Sequence, residues 1–235
     1  MTLPEKHIAE LEKALNYKFK NLNFLKEALS HPSLKQHDPS ARDYERLELL
    51  GDAILGFLIT EMIFHNPVSY EEGDIAKIKA YVVSRDTIVK IAEKLKLADY
   101  IIMTTGEEKS GGRTNRNNIE NAMEALLAAI YLDSDINQTR MIVDDLWSRY
   151  VKNIDLSSAD PKSSLQELLQ SQSHASPVYK VIKKDGAVHA PIFTVEVSAT
   201  GHKQTATGKS IKEAEKAAAR LLLQKLGKSE SSKNI

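Results

Sequence analysis

A mainly α-helical domain followed by a small α+β unit is the fold class implied by this 235-residue sequence. Two patterns carry it. Over residues 5–153 the apolar side chains recur at helical spacing, and no strand alternation of useful length interrupts them. From residue 162 the period changes, giving the order α-β-β-β-α over about 65 residues. Between the two, residues 154–161 read Ile-Asp-Leu-Ser-Ser-Ala-Asp-Pro, a small, polar, proline-ended stretch of linker composition. The expected boundaries are a first domain at 5–153, a linker at 154–161, a second domain at 162–226 and a short disordered tail at 227–235.

Each element has its own signal. Ile8, Leu11 and Leu15 form one apolar face, and Leu22, Phe24, Leu25 and Leu29 a second. A long helix is expected over residues 41–64. Another starts near Glu71 and carries Ile75, Ile78 and Val82. Ser84 stands where it can N-cap the next helix, whose inner face holds Ile88, Ile91, Ala92 and Leu95. Helices over about 117–132 and 137–150 close the first domain. In the second, residues 162–172 form an amphipathic helix through Leu165, Leu168 and Leu169. Strands are expected at 178–182, 192–197 and 202–207, and an Ala- and Leu-rich helix at 210–226.

Composition narrows the function. The chain has no cysteine, which excludes disulfides and thiolate chemistry. Its first 20 residues are charged and lack an apolar core, so no secretory leader is expected. The most apolar stretch, residues 53–64, is broken by Thr60 and Glu61 and is too short to span a bilayer. A cytoplasmic protein with no membrane partner is the expectation. Net charge is zero, yet the two parts differ: residues 1–159 carry −5, residues 160–226 carry +4 and the tail +1. An acidic domain that attracts cations beside a basic one that attracts a polyanion is a meaningful asymmetry.

The most specific stretch is Tyr44-Glu45-Arg46-Leu47-Glu48-Leu49-Leu50-Gly51-Asp52-Ala53-Ile54-Leu55. Glu45, Glu48 and Asp52 lie at i, i+3 and i+7, an arc of roughly 60° on one helix face. Stacked acids repel one another, so this face suits a cation in front of it. Oxygen ligands on a rigid element select a hard ion, with Mg²⁺ first and Mn²⁺ as substitute. Asn121 and Glu124, at i and i+3 on a second helix, share a face and are the natural further contributors. The alternative for such a face is plain solvation at a surface. Leu47, Leu49, Leu50, Ala53, Ile54 and Leu55 argue against it, because they leave only a narrow polar stripe on a helix expected to be largely buried. Glu71-Glu72-Gly73-Asp74 also reads as a charged helix start favoured by the macrodipole.

These residues, with Ser110-Gly111-Gly112, Ile119-Glu120-Asn121-Ala122-Met123-Glu124-Ala125 and Ala129-Ile130-Tyr131-Leu132-Asp133, closely resemble the hallmark of the ribonuclease III family. The C-terminal segment resembles a double-stranded-RNA-binding domain. The resemblance covers about residues 5–226. It implies a ribonuclease III endonuclease fold, with Glu48, Asp52, Asn121 and Glu124 at metal-ligand positions. Glu45 and Glu72 stand as further acids near the scissile strand, in roles that include RNA contact and water positioning. Catalytic function is thereby assigned to Glu45, Glu48, Asp52, Glu72 and Glu124. One departure matters: the family pattern has Asp where this chain has Asn121. An amide oxygen still ligates Mg²⁺ but brings no charge, so weaker metal binding is expected.

The resemblance also implies how RNA is held. Double-stranded RNA is read by shape, through phosphates and 2′-hydroxyls. Gln166 and Gln170, at i,i+4, face one minor groove, and His189, in a loop of residues 186–191, enters a second. Lys209, Lys212 and Lys216, around the start of the last helix, meet the phosphates between them. Ile211 falls where Lys is common and Glu215 offsets one charge, so affinity is expected to be modest and salt-sensitive. Tyr179 and Phe193 read as core. Residues 104–113 read as a polar, Gly-rich loop near the site, with Lys109 on phosphate. That loop lacks P-loop spacing, and no nucleotide cofactor is expected.

Together these features point to a Mg²⁺-dependent endoribonuclease that cuts both strands of double-stranded RNA in ribosomal precursors and messages. By resemblance it leaves 5′-phosphates, 3′-hydroxyls and short 3′ overhangs. Two strands need two acid clusters, which suits the family's homodimer; Leu49, Leu50 and Phe57 either pack across its twofold axis or belong to the core. The rivals are a double-stranded-RNA-binding protein whose cleavage is impaired by Asn121, and an RNA scaffold subunit with no metal requirement.

Overall fold

The computed structural model describes residues 4–66, 68, 70–152, 154, 160–187 and 190–231. The chain divides into two compact units, residues 1–153 and 154–235.

The first unit is helical. Its order is α1 (Glu5–Leu15), α2 (Leu22–Ala28), a 3-10 turn (Pro32–Gln36), α3 (Glu45–Phe64), α4 (Glu72–Val82), α5 (Arg85–Lys94), α6 (Leu97–Tyr100), α7 (Thr105–Lys109), a second 3-10 turn (Gly112–Thr114), α8 (Arg116–Asp133) and α9 (Ile136–Lys152). One isolated bridge, Ser30 to Ile102, is the extended pairing among its described residues. α8 is the central element: its residues from Ala122 through Ile130 are all buried. It packs against α3, α2, α5 and α9. Leu55, Leu58, Ile59, Leu126 and Leu127 fill the α3–α8 core, and the fully buried Trp147 of α9 donates Nε1–H to Val82 O at 3.3 Å. Apolar burial on this scale is the main favourable term for the fold.

Two local devices fix ends. Asp133, the last residue of α8, accepts from Tyr17 Oη, Lys20 N and Asn21 N, each at 2.7 Å, and so ties the α1–α2 connection to the core. Burial alone would raise its pKa, but these donors hold the carboxylate below its usual range. Asp43, which is buried, accepts from Glu45 N at 3.2 Å and pairs with Lys35 Nζ at 2.5 Å. This contact explains why the long helix starts at Glu45 rather than Ala41: the acid that satisfies the first turn must lie outside it.

Other expectations are corrected. Ser84 occupies the N-cap of α5, but its hydroxyl donates to Tyr81 O at 2.6 Å instead of capping. Residues 104–113 are not an open loop. Thr104 caps α7 by accepting from Glu107 N, and Arg113 fastens the segment to Ala98 O and Ile101 O at 2.6 and 3.2 Å.

The second unit is α10 (Pro161–Ser171), β1 (Val178–Ala187), β2 (Ala190–Ala199), β3 (His202–Gly208) and α11 (Ile211–Ser231), with an antiparallel sheet in the order β1-β2-β3. Leu165 and Leu169 of α10, Val197 of β2 and Ala218, Ala219 and Leu222 of α11 make its core. Tyr179 packs against that core and Phe193 is half-buried. Pro161 is not linker: it is the first residue of α10, with Asp160 accepting from Ser163 N as cap. The last helix runs through Ser231, past the expected end at Leu226. Residues 155–159 of the expected linker and 232–235 of the expected tail lie outside the described residues.

Candidate active site and RNA-binding surface

α3 and α8 cross in backbone contact at Gly51. A Cβ placed on this glycine would lie 1.8 Å from Glu124 O, so only hydrogen fits. The position is decisive for chemistry. Gly51 stands between Glu48 and Asp52 on α3, and the carbonyl it touches belongs to Glu124. The close approach therefore sets the α3 acids against the α8 acid.

Burial grades these acids. Glu124 is 8 % exposed, Glu48 is half-buried and Asp52 faces solvent. Desolvation, followed by the charges of Asp52, Glu120 and Glu48, pushes Glu124 up to about 8, while Arg85 pulls it down. Desolvation, then Glu45, Glu120 and Asp52, raises Glu48 as well. Four carboxylates, Glu48, Asp52, Glu120 and Glu124, thus share one electrostatic environment on two rigid helices.

Asn121 is half-buried on α8, and its amide pulls the pKa of the Tyr44 phenol down, against the larger effect of burial. Tyr44 is 2 % exposed and reaches Asn118 Oδ1 at 3.5 Å; Asn118 Nδ2 in turn donates to Gly112 O at 3.0 Å. Burial first, then the Glu48 charge, raises the phenol's pKa, so it stays protonated and available as a donor. These bonds tie Tyr44 to the segment after α7. Glu45 is exposed and accepts from Lys35 Nζ at 3.2 Å. Glu72, the first residue of α4, is exposed, and among the described residues no interaction joins it to the other acids. Lys109 is exposed at the end of α7.

The donor set fits a hard divalent ion. The carboxylates of α3 and α8 feel one another's charge, and their mutual repulsion with a desolvated member is relieved by positive charge. As placed, among the described residues, no three His, Cys, Asp or Glu side chains are grouped closely enough to form a ready cage. Holding an ion would require side-chain rotation about the fixed backbones.

Sequence reasoning missed several participants. Gly51 was in plain view between the acids, but its contact is long-range. Glu120 lies one turn before Glu124, a spacing that was readable. Its partner Arg85, on α5, was not. The narrow polar stripe expected for α3 is also corrected. Leu49, Phe57 and Phe64 are 76, 54 and 72 % exposed, and with exposed Ala53 they run as an apolar strip along the helix.

In the second unit Gln166 and Gln170 are exposed on one face of α10. Lys209 and Lys212 are exposed, and Lys216 is half-buried. Gly208 permits the β3–α11 junction, since a Cβ there would lie 2.5 Å from Ala214 N. Ser210 accepts from Glu213 N at 3.2 Å, and Glu213 accepts from Lys209 N at 2.8 Å, closing the first turn of α11. Glu215 is engaged by Lys162 at 2.6 Å. His189 lies outside the described residues; β1 reaches Ala187 and β2 begins at Ala190.

No helix among the described residues is long and apolar enough to cross a membrane. Residues 21–150 match the family model described as Ribonuclease-III-like, and residues 161–226 match the double-stranded RNA binding motif. The chain is 56 % identical over 218 residues to Ribonuclease 3 of Rickettsia akari (strain Hartford), covering 92 % of this chain and 96 % of that one. It is 56 % identical over 219 residues to Ribonuclease 3 of Rickettsia felis, with 92 and 97 % covered. A crystal structure of the nuclease domain of ribonuclease III from Campylobacter jejuni aligns with TM-score 0.58 at 37 % identity, covering 64 % of this chain and 99 % of that one. A second structure of that domain, concerned with flexibility in the region of dimer formation, aligns with TM-score 0.57 at 36 % identity, covering 61 and 97 %. With both units matched and relatives aligned over nearly its whole length, this chain belongs to the ribonuclease III family and is a double-stranded-RNA-specific endonuclease.

Proposed function

We propose that this enzyme hydrolyses both strands of double-stranded RNA with Mg²⁺, leaving 5′-phosphate and 3′-hydroxyl ends with short 3′ overhangs. Its substrates are duplex regions of ribosomal precursors and messages in the cytoplasm. The observation that carries this reading is the buried Glu124 carboxylate on α8, a helix in backbone contact through Gly51 with the one that carries Glu48 and Asp52, whose charges it feels.

Glu48, Asp52, Asn121 and Glu124 hold the ion, and Mn²⁺ substitutes for Mg²⁺. When bound, the ion lowers the pKa of water and stabilises charge on the phosphate. Water attacks phosphorus in line; its oxygen bonds to phosphorus as the bond to the 3′-oxygen breaks, and that oxygen takes a proton. Glu45 and Glu72, both exposed, contact RNA and position water near the scissile strand.

Gln166, Gln170 and His189 enter minor grooves, and Lys209, Lys212, Lys216 and Lys109 meet phosphates. Binding of this kind weakens steeply with salt. The strip of Leu49, Ala53, Phe57 and Phe64 is the twofold interface of a homodimer, which gives each RNA strand its own acid cluster. A region involved in dimer formation is named for the Campylobacter jejuni nuclease domain, which supports this assignment.

Asn121 favours a second reading, a duplex-binding protein that does not cut. A long uniform RNA duplex titrated with Mg²⁺, with single-stranded RNA as control, separates the two. Duplex-only cleavage to 5′-phosphates supports the enzyme, and tight binding without product at any Mg²⁺ concentration supports the binding protein.

A further inference from the structure

Asn121 brings an amide oxygen and no charge to the ion. The residue before it, Glu120, is a carboxylate. It lies four residues before Glu124, on the same face of α8, and its side chain is 15 % exposed. Arg85, from α5, engages it through Nε. Its charge is felt by Glu48 and Glu124 alike, and Arg85 opposes it at Glu124. A second pair, Arg116 with Asp86 at 2.6 Å, joins the same two helices, and Ile88 and Ile91 of α5 are fully buried. The α5–α8 contact therefore does not depend on Glu120.

We infer that Glu120 supplies to the bound ion the negative charge that Asn121 lacks, with Arg85 as the positioning counter-ion that keeps this carboxylate at the edge of the site. The inference rests on the metal-dependent reading above. Glu120 acts through space and need not ligate. Charge adjacent to a metal's ligands commonly changes affinity tenfold or more.

The test is calorimetric titration of Mn²⁺ into the full chain without RNA, for the wild type, Glu120→Gln, Arg85→Gln and the double variant Glu120→Gln/Asn121→Asp. Unfolding temperature in chelator is measured alongside. The expected result is about tenfold weaker binding in Glu120→Gln, tighter binding in Arg85→Gln, and recovery in the double variant, where the charge returns one residue along. If Glu120→Gln and Arg85→Gln both lower the unfolding temperature and leave Mn²⁺ affinity unchanged, the pair is a structural clamp and the inference is overturned. Failure of Asn121→Asp to restore affinity overturns it as well. A wild-type chain that binds no Mn²⁺ and cuts no duplex overturns the metal-dependent reading itself, and the inference with it.

Discussion

Gly51 and Glu124 meet backbone to backbone: the space a Cβ would need on Gly51 is filled by the Glu124 carbonyl, 1.8 Å away. A methyl group there must push α3 and α8 apart, because neither partner is a side chain that can rotate aside. Gly51→Ala is expected to destabilise the protein by about 2 kcal/mol or more and to raise the Mg²⁺ concentration for half-maximal cleavage. Thermal unfolding and a Mg²⁺ titration check both effects. A stable variant with unchanged Mg²⁺ dependence would separate the site from this contact.

Glu124 gives the metal-free protein a distinctive pH dependence. Its folded-state pKa of about 8 lies above its ordinary value of 4.5. Between these values the folded chain keeps a proton that the unfolded chain has lost, so stability falls as pH rises through the window. In chelator, Glu124→Gln is expected to be more stable than wild type at pH 9, by on the order of a few kcal/mol, and the gain shrinks toward pH 5. Unfolding midpoints at several pH values measure it. Metal competes with the same proton, so the Mg²⁺ midpoint should fall as pH rises toward 8. A midpoint that is flat or rises over that range contradicts this.

Asp133 has the opposite sign. Its depressed pKa means that its contribution is complete above about 4 and is lost as pH falls through the folded value. Asp133→Asn puts an amide N–H₂ against backbone N–H donors and is expected to cost about 1–3 kcal/mol at pH 7. The loss relative to wild type should shrink in acid. Denaturant unfolding at pH 7 and pH 3 tests both statements.

In the proposed function Asn121 is an uncharged ligand, and Asn121→Asp adds a negative charge there. It is expected to lower the Mg²⁺ concentration for half-maximal duplex cleavage severalfold, while duplex binding without metal stays the same. Cleavage rates across a Mg²⁺ titration provide the check, and no shift would contradict the role given to position 121.

The legibility of this protein followed the range of its interactions. The helix and strand orders were readable because burial imposes periods of 3.6 and 2 on neighbouring residues. The acid face of α3 was readable for the same reason, as was the break before the second unit. The rest depends on specific hydrogen bonds and long-range contacts, which hydrophobic periodicity does not encode. Asp43 shortened α3 at its start through a local contact, and Arg113 turned an expected loop into a fastened helix through carbonyls of residues 98 and 101. The exposure of Leu49, Phe57 and Phe64 was hidden because periodicity cannot tell an apolar face in the core from one left at the surface. The pairing of Glu120 with Arg85 spans 35 residues, beyond any local pattern.

The most direct test of the central claim compares wild type with Glu124→Gln on one labelled RNA duplex, measuring binding in chelator and cleavage in saturating Mg²⁺. The expected result is unchanged binding with cleavage at least about a thousandfold slower, because in the proposed function Glu124 holds the ion while the second unit is left intact. Cleavage within a few-fold of wild type would contradict the placement of the catalytic ion between α3 and α8.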